Sequence, residues 1–327
     1  MSKQINIGIV GFGNLGKGVV AALQHSSEFF LKGIFTRRNP QQLKELEKDL
    51  PFHPMDEIES FVGKIDLMFL CGGSAKDLPI QGPKIASLFH CIDSYDNHSK
   101  IPNYFEEINF IAKKANKLCL ISAGWDPGLF SIHRLYAESI LPNGVNYTFW
   151  GRGVSQGHSD AARQIEGVKR AISYTIPNSP VLEIVQTGNT PTLTTRQKHS
   201  REVFVVAKED ANLELINKQI TTIPKYFDEY DTTVNFISEE EFLANHQSLP
   251  HGGKVIHNAT SNSYTQTMEY SLILDSNPHF TGAVLVAFAR ALYQLAKENR
   301  TGALTVFDIA PRYLSSKTSE ELRSELL

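Results

Sequence analysis

The feature that most constrains this chain of 327 residues is a glycine motif placed directly after its first apolar run. Gly11–Gly16 has the sequence GFGNLG, follows the apolar residues 5–10 and opens an amphipathic stretch over residues 14–25. In the pattern G-x-G-x-x-G the first glycine allows a tight turn, the second lets the backbone approach a pyrophosphate, and the third lets the helix lie close to the strand. The motif in this setting predicts a dinucleotide-binding strand, turn and helix.

The same alternation continues through the first half of the chain. Short apolar runs predict strands at residues 5–10, 30–35, 66–71, 90–93 and 117–122, and amphipathic stretches predict helices at residues 14–25, 79–89 and 102–115. Strands that alternate with helices form a parallel sheet covered on both faces. The first half is therefore predicted to be an α/β domain with a Rossmann-like, doubly wound parallel sheet.

The pattern changes after about residue 142. Strand-like runs at residues 145–150, 202–206 and 264–274 alternate apolar with polar residues, as in an antiparallel sheet with one solvated face. Helices are expected at residues 159–172 and 279–298. We expect a second domain of mixed α/β structure with a largely antiparallel sheet.

Charge and cysteine content exclude several classes of protein. With 32 Lys and Arg against 35 Asp and Glu, the net charge is -3, which does not supply the basic surface that nucleic acids require. Cys71, Cys91 and Cys119 are odd in number and form no C-x-x-C pair, which is typical of small buried side chains in a reducing compartment. The sequence shows neither a signal-peptide core nor an apolar run of about 18 residues, so we expect a soluble cytoplasmic protein with no membrane segment.

The end of the second predicted strand selects the cofactor. A site for NAD has Asp or Glu at this position to bind the ribose 2′-hydroxyl. This chain has Thr36, Arg37 and Arg38 instead. A hydroxyl and two guanidinium groups can bind a 2′-phosphate through charge-assisted hydrogen bonds, so the sequence predicts NADP.

Small and polar residues follow the later strands of the first half. They form the segments 71–74 (CGGS), 93–96 (DSYD) and 122–128 (SAGWDPG). The carboxyl ends of parallel strands meet at one edge of the sheet, where the reactive end of the cofactor is expected. Asp96 and Asp126 would place two carboxylates at that edge, which favours a substrate with a cationic group.

Other candidate groups are less specific. Residues 151–160 (GRGVSQGHSD) precede a predicted helix and would expose N–H groups suited to an anion. Arg196, Arg201, His251 and Asn277 fall at predicted strand ends or turns, where such residues are commonly structural. Since the sequence has no H-E-x-x-H motif, Cys/His pairing or G-x-S-x-G turn, neither a catalytic metal nor a serine nucleophile is expected.

Taken together and in order, these segments resemble the meso-diaminopimelate dehydrogenase family. The segments are GFGNLG at 11–16, FTRR at 35–38, DSYDNH at 93–98, GWDPG at 124–128, FWG at 149–151 with SQGHSD at 155–160, and PHGG at 250–253. The resemblance implies NADP-dependent oxidative deamination of meso-2,6-diaminopimelate at its D-centre to L-2-amino-6-oxopimelate and ammonia, and the reverse reductive amination in lysine biosynthesis. It also implies a homodimer in which residues 1–125, with 300–327 returning, bind NADP, while residues 126–299 bind substrate and form the dimer.

The resemblance assigns roles to individual residues. Asp96 and Asp126 would contact the substrate near its reacting amino group and are the catalytic candidates. The implied substrate-binding residues are Trp125, Trp150, Gln156, Gly157, Thr175, Arg201, His251 and Asn277, with Arg196 as an alternative to Arg201. The glycine motif and the strand ends add the cofactor-binding candidates Gly11, Gly13, Asn14, Leu15, Gly16, Thr36, Arg37, Arg38, Cys71, Gly72, Ser74, Asp93 and Tyr95.

Two alternative functions remain open from the sequence. One is another NADP-dependent oxidoreductase that resembles dihydrodipicolinate reductase or glucose-fructose oxidoreductase, because these folds share the nucleotide-binding half. A sugar enzyme of that kind would be expected to carry an E-K-P motif after the third or fourth strand, and this sequence has none there. The other is a sensor that binds NADP without turnover of any amino acid.

Overall fold

The computed structural model describes residues 4–327. In chain order its strands and helices are β1 (Ile5–Val10), α1 (Asn14–Leu23), β2 (Phe29–Thr36), α2 (Pro40–Leu46), β3 (Phe52–Pro54), β4 (Leu67–Leu70), α3 (Leu78–Ala86), β5 (His90–Asp93), α4 (Ile101–Lys114), β6 (Leu118–Leu120), α5 (Leu129–Ile140), β7 (Val145–Trp150), β8 (Gly153–Val154), α6 (Gln156–Arg163), β9 (Val168–Pro177), α7 (Ser179–Gln186), α8 (Thr195–Lys198), β10 (His199–Ala207), α9 (Leu213–Thr221), β11 (Asp231–Phe236), α10 (Glu239–Asn245), β12 (His251–Ser261), β13 (Tyr264–Leu274), α11 (Asn277–Lys297), β14 (Gly302–Leu304) and α12 (Ser319–Leu326). None of the helices in this described part combines the length and apolar character needed to cross a membrane.

The chain forms two compact units. One contains the chain up to Ile132 together with Pro278–Leu327, and the other is His133–Asn277. The predicted domain boundaries at residues 125/126 and 299/300 stay a prediction. The main difference is that α11 was predicted to lie in the second domain, whereas it belongs to the first compact unit. This helix joins the first unit because Leu285 and Phe288 lie in the same apolar core as Ile7 of β1. Periodicity predicts such a helix without indicating which sheet it covers.

The first unit is built on a seven-stranded parallel sheet of order β14-β6-β5-β4-β1-β2-β3. β4 shows why this sheet is covered on both faces. Leu67 and Phe69 belong to the apolar core that contains α11, whereas Met68 and Leu70 belong to the core under α3 and α4. Successive residues of a strand point to opposite faces, so an uninterrupted apolar strand requires helices on both. The predicted doubly wound sheet is confirmed.

The second unit contains two smaller sheets. One has the order β11-β10-β9-β8, in which β10 and β11 are parallel and the other pairs antiparallel, and the other is the antiparallel sheet β13-β12-β7. Alternation is clearest in β10, where His199, Arg201, Val203 and Val205 are buried and the residues between them are partly exposed. The predicted mixed and largely antiparallel domain is confirmed.

One predicted helix is wrong in its second half. The sequence-based helix covered residues 159–172, but α6 ends at Arg163 and β9 begins at Val168. Gly167, with a φ of +86°, lies between the two elements in a conformation that favours glycine. The residues that follow pair with β10, where Ile172 lies opposite Phe204. Long-range strand pairing therefore outweighs the local apolar pattern that indicated a helix.

Candidate functional site

The glycine turn of the first unit has the geometry that its motif predicts. Gly11 has a φ of +93°, which only glycine adopts readily. A Cβ atom on Gly16 would lie 2.3 Å from the carbonyl oxygen of Gly11, so glycine is required for α1 to pack this closely. A Cβ atom on Gly13 would meet no atom of the described residues within 4 Å. The turn thus leaves an open space in front of the first N–H groups of α1, which suits a phosphate.

The two arginines after β2 are held by different partners. Arg38 donates a hydrogen bond from Nη2 to the carbonyl oxygen of Phe12 inside the glycine turn, and its backbone N–H donates to Thr36 Oγ1 at 3.1 Å. Arg37 forms an ion pair between Nη2 and Asp77 Oδ1 at 2.9 Å, with 71% of its side chain exposed. The pair of guanidinium groups therefore lies beside the dinucleotide turn and keeps N–H donors for a ligand.

The segment after β4 passes close to the glycine turn. A Cβ atom on Gly11 would lie 3.3 Å from the carbonyl oxygen of Cys71. Ser74 Oγ accepts a hydrogen bond from the N–H of Asp96 at 3.1 Å. Burial raises the pKa of the Cys71 thiol, so it stays protonated and is unsuited to act as a nucleophile. Of the candidates on this segment, the backbone around Cys71 lies next to the dinucleotide turn, while Ser74 links it to the next strand end.

The ends of β5 and β6 carry the two candidate catalytic carboxylates. Asp96 is exposed and Asp126 is partly buried. Asp93, at the end of β5, accepts a hydrogen bond at Oδ1 from the N–H of Ser122 at 2.9 Å and so joins the two segments. Trp125 is 7% exposed and packs edge-on against Phe130 with ring centroids 5.1 Å apart. The first unit thus presents carboxylates at the carboxyl edge of its sheet, next to the cofactor turn.

The second unit contains a buried guanidinium. Arg201 on β10 lies directly opposite Thr175 on β9, and its Nη1 donates a hydrogen bond to Thr175 Oγ1. The guanidinium lies 4.1 Å above the ring of Tyr230, and its Nε has no hydrogen-bond partner among residues 4–327. Burial lowers the pKa of Arg201. A buried, incompletely paired cation is a strong candidate for binding a carboxylate.

Arg196, the alternative carboxylate-binding residue, has a different environment. Its Nη1 pairs with Asp231 Oδ1 at 2.6 Å and its Nη2 donates to the carbonyl oxygen of Asp228 at 2.9 Å, with half of the side chain exposed. The protein therefore already satisfies this guanidinium at the surface. The structure favours Arg201 as the group that binds an anionic ligand.

Strand pairing brings three of the predicted residues of the second unit together. Thr175 pairs with Arg201 on one side and with Gly153 of β8 on the other. β8 passes close to His251, since a Cβ atom on Gly153 would lie 2.6 Å from the His251 Cα. Asn277 donates its backbone N–H to the carbonyl oxygen of Leu249 at 2.9 Å, which places it near the start of the same strand β12. Gln156 and Gly157 are exposed at the start of α6.

Known proteins resemble this chain over its full length. Residues 124–276 match the family model of the diaminopimelic acid dehydrogenase C-terminal domain. The chain is 52% identical over 328 residues to meso-diaminopimelate D-dehydrogenase of Ureibacillus thermosphaericus, covering 100% of both chains. It is 51% identical to the Acetivibrio thermocellus protein of the same name, covering 99% of this chain and 98% of that one.

The chain belongs to the meso-diaminopimelate D-dehydrogenase family.

Three solved structures of dehydrogenases have the same fold as this chain. A multiply substituted meso-diaminopimelate dehydrogenase of Clostridium tetani E88 with DAP has a TM-score of 0.94 at 49% identity, covering 99% of this chain and 100% of that one. The Corynebacterium glutamicum DAP dehydrogenase in complex with DAP has a TM-score of 0.93 at 40% identity with the same coverage. An engineered D-amino acid dehydrogenase bound to NADP+ has a TM-score of 0.89 at 39% identity, again covering 99% of this chain and 100% of that one.

Two histidines of this family member were assigned no individual role from the sequence. His199 is 1% exposed, stacks on Trp150 with ring centroids 5.3 Å apart, and accepts the Trp150 backbone N–H at Nε2 over 2.8 Å. Burial lowers its pKa to about 3, so the ring is neutral. His199 shares the inward face of β10 with Arg201, two residues later. Period-two alternation could have found it, had the strand been predicted to begin at residue 199.

His158 is the second of these histidines. Its Nδ1 lies 2.7 Å from Ser155 Oγ, and its buried Nε2 has no hydrogen-bond partner in the described part of the chain. Burial and the nearby Arg201 charge lower its pKa to about 3. The ring is therefore a neutral neighbour of the Arg201 guanidinium. The second unit places one buried cation among uncharged imidazoles, which suits a carboxylate better than an ammonium group.

Proposed function

We propose that this family member catalyses the NADP-dependent oxidative deamination of meso-2,6-diaminopimelate at its D-centre, yielding L-2-amino-6-oxopimelate and ammonia, and the reverse reductive amination in lysine biosynthesis. The observation that carries the proposal is identity of about half of all residues, over the full length, to enzymes named for this activity. The match includes both the dinucleotide turn and the unit with the buried Arg201.

The residues of the first unit fit NADP. The space in front of Gly13 can receive the pyrophosphate, because a side chain there would fill it. Arg37 and Arg38 can bind the 2′-phosphate, and positions 36–38 carry no acidic residue of the kind that binds a ribose 2′-hydroxyl; Arg37 would then share its guanidinium between the phosphate and Asp77. The backbone of Cys71 and Gly72 would pass beside the bound dinucleotide. When NADP+ is bound, its nicotinamide accepts the hydride.

The second unit would hold the distal, L-configured end of the substrate. We assign its carboxylate to Arg201, which keeps an unused Nε donor, with Thr175 fixing the orientation of the guanidinium. His251 and Asn277 would provide further polar contacts to the same end. Such fixed contacts hold the reacting carbon in one place, which is the main contribution that a protein makes to hydride transfer.

The carboxylates of the first unit would act at the reacting, D-configured end. Asp96 and Asp126 would bind the ammonium group of the substrate and stabilise the cationic imine that forms as hydride leaves its carbon. One of them, or a water molecule that they hold, would accept the proton that the ammonium group must lose first. Addition of water to the imine and loss of ammonia then give the oxo product. Trp125 of the first unit and Trp150 of the second would each contact the substrate.

The decisive assay follows absorbance at 340 nm with the purified protein, NADP+ and meso-diaminopimelate. The LL and DD isomers, NAD+ and a panel of sugars serve as controls. We expect reduction of NADP+ chiefly with the meso isomer. Binding of NADP+ without turnover of any isomer would instead favour the sensor, and turnover of a sugar would favour the other oxidoreductases.

We also propose that the protein is a cytoplasmic homodimer, formed through the second unit. Support comes from the sheet β13-β12-β7, where Ile273 is 92% and Tyr264 is 72% exposed on the outer strand β13. Large apolar groups at a sheet edge commonly mark an interface. Light scattering after size exclusion should give twice the 36.5 kDa mass of the chain. A mass of one chain would contradict the dimer, and cell fractionation would test the compartment.

A further inference from the structure

Asp93, at the carboxyl end of β5, has an environment unlike that of the other carboxylates in the first unit. It is 2% exposed. Its Oδ1 accepts hydrogen bonds from the N–H groups of Tyr95 and Ser122, each at 2.9 Å, and its Oδ2 accepts one from the hydroxyl of Tyr104 at 2.8 Å. A carboxylate with three donors inside the protein is well satisfied without a ligand. The Asp93 carboxylate is therefore held by the protein itself, and its contact with the cofactor stays a prediction.

The third donor, Tyr104, is itself held in a fitted position. Its ring stacks on the ring of Tyr95 with centroids 4.2 Å apart, and a Cβ atom on Gly82 would lie 2.2 Å from its hydroxyl oxygen. Burial and the Asp93 charge raise the pKa of Tyr104, so the hydroxyl stays protonated and can only donate to the carboxylate. Gly82 on α3 therefore leaves the space that the Tyr104 hydroxyl occupies.

The hydrogen bonds of Asp93 connect the two segments that carry the candidate catalytic carboxylates. The N–H of Tyr95 belongs to the segment that continues directly into Asp96. The N–H of Ser122 begins the segment that leads to Asp126, and Ser122 has a φ of +58°, uncommon for a residue other than glycine. The next N–H, that of Ala123, donates to the Asp93 carbonyl oxygen at 2.9 Å. Residue 93 therefore ties the end of β6 to the end of β5 with both its side chain and its backbone.

We propose that Asp93 is a positioning residue for the reaction: its carboxylate fixes the segments of Asp96 and Asp126 relative to each other, so that both reach the amino group of the substrate. The inference rests on the proposed function. It assigns Asp93 no proton transfer and no contact with the cofactor. Misplacement of a reacting group by about 1 Å can cost a factor of about 100 in rate, so loss of this tie should act mainly on kcat.

The test compares Asp93→Ala, Asp93→Asn and Tyr104→Phe in the full-length protein. In Asp93→Ala three buried donors lose their acceptor, and we expect kcat for meso-diaminopimelate to fall about 100-fold while the Kd of NADP+ changes by less than about threefold. Asn can still accept both N–H groups at Oδ1 and donate from Nδ2 to the Tyr104 oxygen, so it should retain kcat within about fivefold. Tyr104→Phe should fall between the two. Asp49→Ala, at an exposed position, is the control.

The Asn variant separates positioning from chemistry. If Asp93 were itself the proton acceptor, Asp93→Asn would lose as much activity as Asp93→Ala and would change the pH profile of kcat; this would overturn the proposal. A kcat of Asp93→Ala close to that of the wild type would also overturn it, as would a loss of NADP+ affinity that parallels the loss of rate. If Asp93→Ala does not fold, Tyr104→Phe and Asp93→Asn still give opposite predictions for the two roles. A wild-type protein without turnover would instead contradict the proposed function.

Discussion

The two units of this protein provide cationic groups in opposite ways. In the nucleotide-binding unit, 71% of the Arg37 side chain is exposed and its guanidinium pairs with Asp77. In the other unit, Arg201 is 6% exposed and is bonded to the uncharged hydroxyl of Thr175. The first arrangement holds a charge in water next to the glycine turn. The second removes a charge from water and leaves it without a carboxylate partner among the residues described.

This difference has a physical consequence. An exposed cation costs little to maintain and attracts a ligand weakly, through a field that salt screens. A buried cation that lacks an anion destabilises the folded chain. This desolvation cost is offset only when a ligand supplies the opposite charge. The buried guanidinium should therefore contribute more to ligand affinity and less to stability than its exposed counterparts.

The largest effect is expected for Arg201→Leu, which tests the buried side of this comparison. Loss of a desolvated charge pair costs about 4 kcal/mol, so kcat/KM for meso-diaminopimelate should fall about 1000-fold. The Kd of NADP+ should not change, and the melting temperature should stay the same or rise, because an unpaired buried charge has been removed. Steady-state kinetics, cofactor titration and thermal unfolding check the three outcomes.

The matched control for this prediction is Arg196→Leu. Arg196 lies on the same segment, but Asp231 already pairs with it at the surface. It should keep kcat/KM within about threefold, as surface charges usually do. Equal losses in the two variants would show that burial does not distinguish the two arginines.

The contrast between the units also explains how much the sequence could predict. The dinucleotide turn depends on residues within six positions, Gly11–Gly16, and the position of Arg37 and Arg38 follows from one strand end, so local spacing was sufficient. The surroundings of the buried guanidinium depend on pairing between residues 26 apart, Thr175 and Arg201, and on the contact of His199 with Trp150, 49 residues earlier. No local period encodes those registers, and only the family resemblance assigned Thr175 and Arg201 in advance.

The exposed side of the comparison is tested by Arg37→Ala combined with Arg38→Ala. Loss of two charge-assisted hydrogen bonds, each about 1.5 kcal/mol, should raise the KM of NADP+ about 100-fold. The KM of NAD+, which lacks the 2′-phosphate, and that of meso-diaminopimelate should change by less than about threefold. Initial rates with both cofactors give all three constants.

An exposed arginine of the same unit gives the control for the double variant. Arg300→Ala removes an equal charge at a distance from the glycine turn and should leave the KM of NADP+ unaltered. An equal rise in the constants for NADP+ and diaminopimelate in the double variant would contradict the assignment of the arginines to the phosphate. The single variants should differ, since Arg38 also donates to Phe12 in the glycine turn.

Burial of His199 predicts a smaller effect, on stability against pH. The pKa of this ring is lowered from 6.5 to about 3 in the folded chain. The unfolded chain therefore takes up a proton as the pH falls below about 6.5, whereas the folded chain does not, so stability is full above that pH and decreases toward pH 3. His199→Gln can still accept the Trp150 N–H but cannot titrate. The free energy of unfolding of the Gln variant should fall less steeply with decreasing pH than that of the wild type. The two slopes should differ by up to about 1.4 kcal/mol per pH unit.

Urea unfolding at several pH values between about 4 and 7 measures this slope, because the pKa of His199 differs between the folded and unfolded chains over roughly this range. His25→Gln, at an exposed position of the other unit, is the matched control and should keep the slope of the wild type. Identical slopes for wild type and His199→Gln would mean that the ring takes up a proton as readily in the folded chain as in the unfolded one. The buried guanidinium of Arg201 would then lie near an imidazole that becomes charged as the pH falls.

The smallest effect compares both units in one titration with potassium chloride. Between about 0.05 and 0.5 M salt the Debye length falls from roughly 14 Å to about 4 Å, which weakens exposed charge pairs far more than buried ones. The KM of NADP+ should therefore rise about fivefold, and that of meso-diaminopimelate by less than about twofold. The response to salt should be smaller with NAD+, which lacks the 2′-phosphate, and smaller in Arg37→Ala, which lacks one of the two guanidinium groups. A parallel rise in the KM values of NADP+ and diaminopimelate would mean that water and ions reach Arg201 when the substrate is bound. The distinction between an exposed and a desolvated cation would then not hold in the working enzyme.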